Sequence, residues 1–221
     1  MSRPFTVIEA EQRSEQWFAA RCGLLTGSAA ADVFAVVKTK GAEAAARRDL
    51  RVRLVTERLT GRTQDNNGYV NRDIQRGLDL EPEALGAYEA ASGTLVTPVG
   101  FLRHNELPVG CSPDGVIGDY EGILEVKAPR AANHLRYLRA PGKVPTEHVA
   151  QVNHALFVSG ARYVDFVSYC NEFPEPLQLF VTRVGRETVD LAAYELVVRQ
   201  FLGEVDAEYD AVLTQFLAAE K

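Results

Sequence analysis

Cysteine is scarce in this 221-residue sequence: Cys22, Cys111 and Cys170 are odd in number, far apart and never arranged as a CxxC pair. A disulfide framework is excluded, a thiolate zinc or iron–sulfur site has no ligand set, and a reducing compartment is the simpler setting. Long apolar runs are missing too. No stretch approaches the length of a membrane span, and the opening MSRPFTVIEAEQRSEQW lacks an apolar signal-peptide core, so the expectation is a soluble cytoplasmic protein. His104, His134, His148 and His154 fall in no HExxH or other metal spacing, and no Gly-rich phosphate loop is present, so ATP dependence is not indicated. Internal repeats, low-complexity tracts and Pro/Gly/Ser linkers are absent, which predicts one domain over residues 1–221.

What is there is an ordinary globular composition, 46% hydrophobic and 24% charged. At this length about 70% of the unfolded chain's surface can be buried without a covalent staple. The net charge of -6 argues against a protein that coats nucleic acid but not against one that grips it locally. Charge is segregated along the chain: residues 38–62 are basic, whereas the segment from Glu187 onward is acidic. The basic segment is open to two readings, a DNA channel wall or a solvated helix face.

Ser14 is placed to cap a short helix through Arg21, and Ser28 stands where an N-cap belongs before AAADVFAVV. Residues 41–59 have helical composition. Asp79-Leu80-Glu81-Pro82 reads as a helix start, since proline is tolerated in a first turn. TLVTPVGFLRH, LPVGCSPDGVIG and GILEVKAP then give short strands. A helix follows over 146–159, strands in RYVDFVSYC and LQLFVTRV, and a long amphipathic helix from about Glu187. The order predicts an α/β domain, one mixed sheet flanked by helices.

CSPDGVIGDYEGILEVKAP carries the chemistry. On a strand, residues two apart share a face, so Glu125 and Lys127 point one way while Leu124 and Val126 point the other. Asp114 lies in a Pro-Asp-Gly turn, and a hairpin would bring it back beside them. Two carboxylates held together repel unless a divalent cation lies between them, and Mg²⁺ favours one or two carboxylates plus water. The plainer alternative is a solvent-facing Glu125–Lys127 pair with Asp114 as turn chemistry. Against it stand the proline before Asp114, the interval to ExK, and a further acid, Glu81, upstream.

These segments, with EQWFAARCGLLTGSAAADVF, RGLDLEPEALGAYE and HVAQVNHALFVSGARYVDFVSY in the same order, resemble the lambda-exonuclease/YqaJ-type viral recombinase group of the PD-(D/E)xK nuclease superfamily. The resemblance spans about Glu15 to Tyr169. It implies a restriction-endonuclease-like core. It implies that Asp114, Glu125 and the backbone carbonyl of Val126 bind catalytic Mg²⁺, with Mn²⁺ as a substitute, that Lys127 is the catalytic lysine, and that Glu81 lies in the metal's outer reach. It implies a pocket for a 5′-phosphate built from Arg21, Ser28, Ser112 and Gln151, and an apolar residue, Ile74, at the DNA fork. Ala128 departs from the cysteine frequent in the family, at a position without a catalytic role.

General chemistry supports the pocket in part, because an arginine fork suits phosphate and a helix N-terminus attracts anions. Capping by Ser28, solvent exposure of Gln151, helix-end neutralisation by Arg21 and core packing of Ile74 are the structural alternatives. The resemblance further implies a Mg²⁺-dependent 5′→3′ exonuclease degrading one strand of linear duplex DNA from phosphorylated ends, for phage-type recombination in a bacterial cytoplasm. A ring-shaped homotrimer and a single-strand annealing partner go with it. The rival expectations are another PD-(D/E)xK endonuclease and a non-catalytic DNA-end-binding protein on the same fold.

Overall fold

The computed structural model describes residues 3–37, 42–64 and 72–219. Among the described residues, eight strands form two four-stranded mixed sheets. The first sheet holds β1 (Phe5–Ile8), β2 (Leu25–Thr26), β3 (Phe101–His104) and β4 (Val109–Cys111), in the order β1-β3-β4-β2. The second runs β5 (Gly115–Ile117), β6 (Gly122–Lys127), β7 (Tyr163–Tyr169) and β8 (Leu179–Gly185) in sequence order. Only the β6–β7 pair of this sheet is parallel. The α/β class and the mixed sheet expected from the sequence are present, divided between two sheets where the sequence suggested one.

The helices are α1 (Glu15–Arg21), α2 (Ala30–Val33), α3 (Ala45–Thr60), α4 (Arg72–Ser92), α5 (Ala131–Leu138), α6 (Thr146–Ser159) and α7 (Leu191–Ala219). Among the described residues, none is long and apolar enough to cross a membrane. Helix α6 packs on β3 and β4 of one sheet and on β6 and β7 of the other. A helix so enclosed must be apolar nearly all round, and Val152 and Ala155 to Val158 are buried together with His154. The opposite face of the second sheet is covered by α4, where Leu80, Ala84 and Tyr88 meet Leu124, Val126 and Val167. Strand β6 is thereby buried on both sides, and its apolar Ile123, Leu124 and Val126 follow from that position.

Three local expectations are corrected. Glu81-Pro82 does not start a helix: Pro82 lies inside α4, which already runs from Arg72. The favourable placement of Glu81 at a helix N-terminus therefore falls away. Ser28 does not cap α2. It sits in a 3₁₀ turn over Gly27–Ala29, and no side-chain cap bond closes either that turn or α2. The last helix starts at Leu191 rather than near Glu187, after a 3₁₀ turn over Arg186–Thr188, and the Asp190 carboxylate accepts from the Ala193 N–H at 2.9 Å. Ser14 does cap α1, accepting from Trp17 N–H at 3.2 Å.

The two segregated charge blocks turn out to face each other. Arg47 and Arg51 of α3 pair with Glu204 and Glu208 of α7 at 2.6 Å each, and Arg58 pairs with Asp206. This much of the basic segment is neutralised inside the fold, which removes both of its proposed readings for these arginines. Lys38 and Lys40 lie outside the described residues.

Candidate active site

Asp114 lies in the bend just before β5, and the hairpin itself holds it. Its N–H donates to the Leu124 carbonyl at 3.1 Å, and the Val126 N–H donates to its Oδ2 at 2.6 Å. The β5–β6 register sets Gly115 opposite Leu124, so the aspartate side chain falls beside the Glu125–Lys127 face. Lys127 donates to Glu125 Oε1, and the Gln151 side-chain amide, reaching from α6, donates to the same oxygen. Glu125 is buried, while Lys127 keeps 26% of its side chain in reach of solvent. Two residues adjacent on a strand face, one acid from a turn and one amide from the central helix thus meet in one place.

The electrostatics are unbalanced. Burial pushes the Asp114 carboxyl up to about 8, and the charge of Glu125 pushes the same way against the pull of Lys127. Burial likewise raises Glu81, with Lys127 opposing and Glu125 reinforcing. For Lys127 burial favours the neutral amine. The charges of Glu125 and Asp114, the hydrogen bond to Glu125 and the charge of Glu81 together outweigh burial and raise its pKa. Lys127 is therefore an ammonium at neutral pH, one cation among three carboxyl groups, of which Asp114 is held largely protonated. Among the described residues no group of three His, Cys, Asp or Glu side chains is arranged to hold a metal ion. Asp114 and Glu125 would instead offer the two-carboxylate, water-completed site that suits Mg²⁺, and a divalent cation would relieve their mutual repulsion.

A cleft of about 600 Å³ opens above this group. Ile74 and Glu81 from α4 form one wall, Tyr137, Glu147 and His148 the other, and Val126 and Lys127 lie between. Ile74 is 37% exposed and lines the cleft, so it is not a core residue. His148, set aside in the sequence for want of metal spacing, belongs to the wall. Burial and then the nearby Lys127 charge push it down to about 4, so it is neutral. Tyr137 bridges Glu147 Oε1 at 3.1 Å and His148 Nε2 at 3.3 Å.

Of the four residues expected to form a phosphate pocket, Arg21, Ser28 and Ser112 lie together around Thr26, and Gln151 turns toward Glu125. Arg21 lies over the Trp17 ring at 4.0 Å and reaches Ser112 and Thr26 hydroxyls at 3.5 Å each. Thr26 and Ser28 hydroxyls stand 3.4 Å apart. Ser112 accepts from the Trp17 indole N–H at 2.8 Å, which leaves its own hydroxyl hydrogen to donate. Gln151, in contrast, is committed to Glu125 and is half-buried, not exposed on its helix. Sequence reasoning missed Thr26 and the part of Trp17, which is buried beside Phe101 and Leu24 while its ring carries Arg21. The signal was available for Trp17, which stands four residues before Arg21 on one helix face.

Comparison with known proteins agrees with this geometry. The family model of the YqaJ-like viral recombinase domain matches residues 16–162. A comparison with curated proteins finds no significant match. Among solved structures the chain is similar to an alkaline exonuclease from Laribacter hongkongensis, at 35% identity and a TM-score of 0.81, over 93% of this chain and all of that one. The same relative in complex with dAMP gives a TM-score of 0.82 at the same identity and coverage. A phage-related exonuclease from Haemophilus somnus 129PT shares the fold, at 11% identity and a TM-score of 0.65, over 87% of this chain and 96% of that one. The chain belongs to the YqaJ-like viral recombinase domain family, on the fold of these exonucleases.

Proposed function

We propose that the protein is a Mg²⁺-dependent exonuclease that degrades one strand of linear double-stranded DNA in the 5′→3′ direction from phosphorylated ends, in phage-type recombination. The observation that carries the reading is the meeting of Asp114, Glu125 and Lys127 beneath an open cleft, with the Arg21–Thr26–Ser112 corner close to the same β4–β5 segment. The relative's complex with dAMP supports it, since a nucleoside monophosphate is what stepwise hydrolysis of DNA releases.

Asp114, Glu125 and the Val126 carbonyl would hold the cation. When bound, Mg²⁺ supplies Lewis-acid polarisation of the phosphate and a more acidic water. The chain's own residues divide the remaining work by their charge. Lys127, held as an ammonium, stabilises negative charge developing on the phosphate oxygens rather than removing a proton. Glu81, a carboxyl raised by burial and lying on the cleft wall, is the better group to take a proton from the attacking water. Gln151 and Lys127 fix the orientation of Glu125 from two sides. Arg21, Ser112, Thr26 and Ser28 receive the terminal 5′-phosphate, with the Arg21 fork preset by stacking on Trp17. Ile74 at the mouth of the cleft wedges the fork between the two strands. Family membership also supports a ring-shaped homotrimer and a single-strand annealing partner.

The test uses linear duplex with 5′-phosphate or 5′-hydroxyl ends and a closed circular duplex, each with Mg²⁺ or chelator, for wild type and Lys127→Ala. Digestion only of phosphorylated linear ends, by wild type with metal, is expected. Cutting of the closed circle would make the protein an endonuclease, and equal rates on both end types would remove the Arg21 corner from the reading.

A further inference from the structure

The turn between β1 and α1 places an arginine where a glycine would be conformationally easier. Ser14 N–H donates to the Glu11 carbonyl at 3.0 Å, closing a four-residue turn whose third residue, Arg13, has φ +70°. That position of such a turn calls for the left-handed region, which side chains with a Cβ disfavour. Hydrogen bonds anchor the turn on both sides of Arg13. The Gln12 side-chain amide donates to the Pro113 carbonyl at 2.9 Å and to the Val99 carbonyl at 3.3 Å, and Ser14 is fixed as the cap of α1. The turn is thus pinned to the peptide immediately before Asp114. A strained residue held by its neighbours beside a reactive centre points to a use for its side chain.

The position of Arg13 indicates that use. Two hollows lie side by side at the site: the cleft containing Lys127, and a second of about 460 Å³ that reaches Asp114. Glu81 borders both, and so does Arg13, which therefore stands on the ridge between them. The other residues that border both hollows are Gln12, Leu78 and Glu81, none of them a cation, and Glu9 and Glu11 line the second hollow. Arg13 is solvent-exposed and joins no ion pair among the described residues, unlike Arg47, Arg51 and Arg58 in the α3–α7 seam. A strand drawn over Asp114 and Glu125 must cross this ridge, and its phosphates need a cation there to offset the acids.

We propose that Arg13 is a substrate-binding residue whose guanidinium grips a backbone phosphate of the DNA strand lying across the Asp114/Glu125 pair, separately from the terminal-phosphate corner at Arg21. The inference rests on the proposed DNA-degrading function. Arg13 is a forked donor suited to two phosphate oxygens, and its rigid turn holds that fork without the usual loss of backbone freedom.

The experiment measures binding rather than turnover. A fluorescent 5′-phosphorylated duplex with a short overhang is titrated in chelator, at several salt concentrations, with wild type, Arg13→Gly and Arg13→Lys. Glycine accepts the left-handed turn, so Arg13→Gly is expected to melt at the wild-type temperature or above while binding roughly tenfold more weakly. The slope of log K against log salt should fall by about 0.7–0.9, one phosphate contact. Arg13→Lys should keep the slope and recover part of the affinity. Unchanged affinity and slope in Arg13→Gly, with wild type binding and degrading the duplex, would overturn the role of Arg13 alone. A wild type that neither binds nor degrades DNA would instead overturn the proposed function on which it rests. Loss of affinity with an unchanged salt slope would also overturn the proposal, because it would assign Arg13 a shaping role without phosphate contact.

Discussion

Along the seam of α3 and α7, arginines and acids are matched: Arg47 makes two bonds to Glu204, at 2.6 and 3.0 Å, and Arg51 and Arg58 meet Glu208 and Asp206. At the floor of the cleft, Glu81, Asp114 and Glu125 crowd around Lys127, and Arg13 stands on the rim. Both assemblies use the same kinds of side chain, in partly buried settings. The seam neutralises its charge within the protein and so holds two helices together. The cleft keeps a surplus of negative charge that only something from outside can balance. Ion pairs alone therefore say nothing about function here; the informative quantity is the unmatched remainder.

The largest effect should come from disturbing that remainder. Lys127→Ala and Asp114→Asn are each expected to lower the rate of duplex degradation by about 10³-fold or more, measured by release of acid-soluble nucleotide. The Asp114→Asn protein should melt no lower than wild type in chelator at about pH 7, since a neutral amide folds into this buried site without the proton uptake that the carboxyl requires. Mg²⁺ should raise the melting temperature of wild type and leave that of Asp114→Asn nearly unmoved. A large loss of stability in Asp114→Asn would erase the contrast with the seam.

Next comes a buried acid that is matched. Asp165 is 1% exposed, takes two bonds from Arg183 at 2.8 and 2.7 Å, and accepts from Tyr88 at 2.6 Å. Arg183→Met strands this carboxylate under α4 and should cost about 3 kcal/mol by urea unfolding. An effect near zero would show that the cluster behaves like a surface pair.

Acid should weaken the fold by a different route. His154 is fully buried, with Nε2 facing the Gly110 carbonyl at 3.1 Å and Nδ1 facing the Tyr194 hydroxyl at 2.9 Å, an arrangement of the neutral ring. Burial pushes it down to about 4, so between its ordinary value of 6.5 and 4 the unfolded chain binds the proton and the fold does not. Stability from this group is complete above pH 6.5 and falls as pH drops, by about 2 kcal/mol at pH 5. Unfolding in urea at pH 7.5 and pH 5 checks the loss, which His154→Gln should make smaller. The smallest effect belongs to the seam. Arg47→Gln should cost about 1 kcal/mol at low ionic strength and less in 1 M NaCl, because these pairs are partly exposed and screened.

The chemistry was more legible in the sequence than the architecture around it. Asp114, Glu125 and Lys127 could be read because a turn and a two-residue period fix their directions locally. The bond from Gln151 to Glu125 could not, since it depends on α6 lying between two sheets. Pro82 was misread as a helix start because proline suits a first turn, and nothing local reveals that α4 tolerates it in the interior. The two-residue strand β2 and the four-residue β1 were too short to register as a period, and with them the first sheet was overlooked. The helix AANHLRYL went unread as well, although it supplies Tyr137 to the cleft wall. Charge segregation was visible, but a chain read in one dimension cannot tell an outward basic face from one turned toward its acidic counterpart.

Glu57 and Arg58, near the end of α3, hold the peptide of Gly23 at both poles. The buried Glu57 carboxylate accepts from Gly23 N–H at 2.7 Å, and Arg58 Nε donates to the Gly23 carbonyl at 3.2 Å. Gly23, at φ +71°, lies two residues beyond Arg21, and a Cβ built on it would come within 2.8 Å of the Arg58 side chain. The Arg21 corner thus inherits its shape from α3, a helix that lines neither hollow at the active site. Across diverging lineages, positions 57 and 58 should drift in step with position 23, while the remaining outward surface of α3 is at liberty to vary.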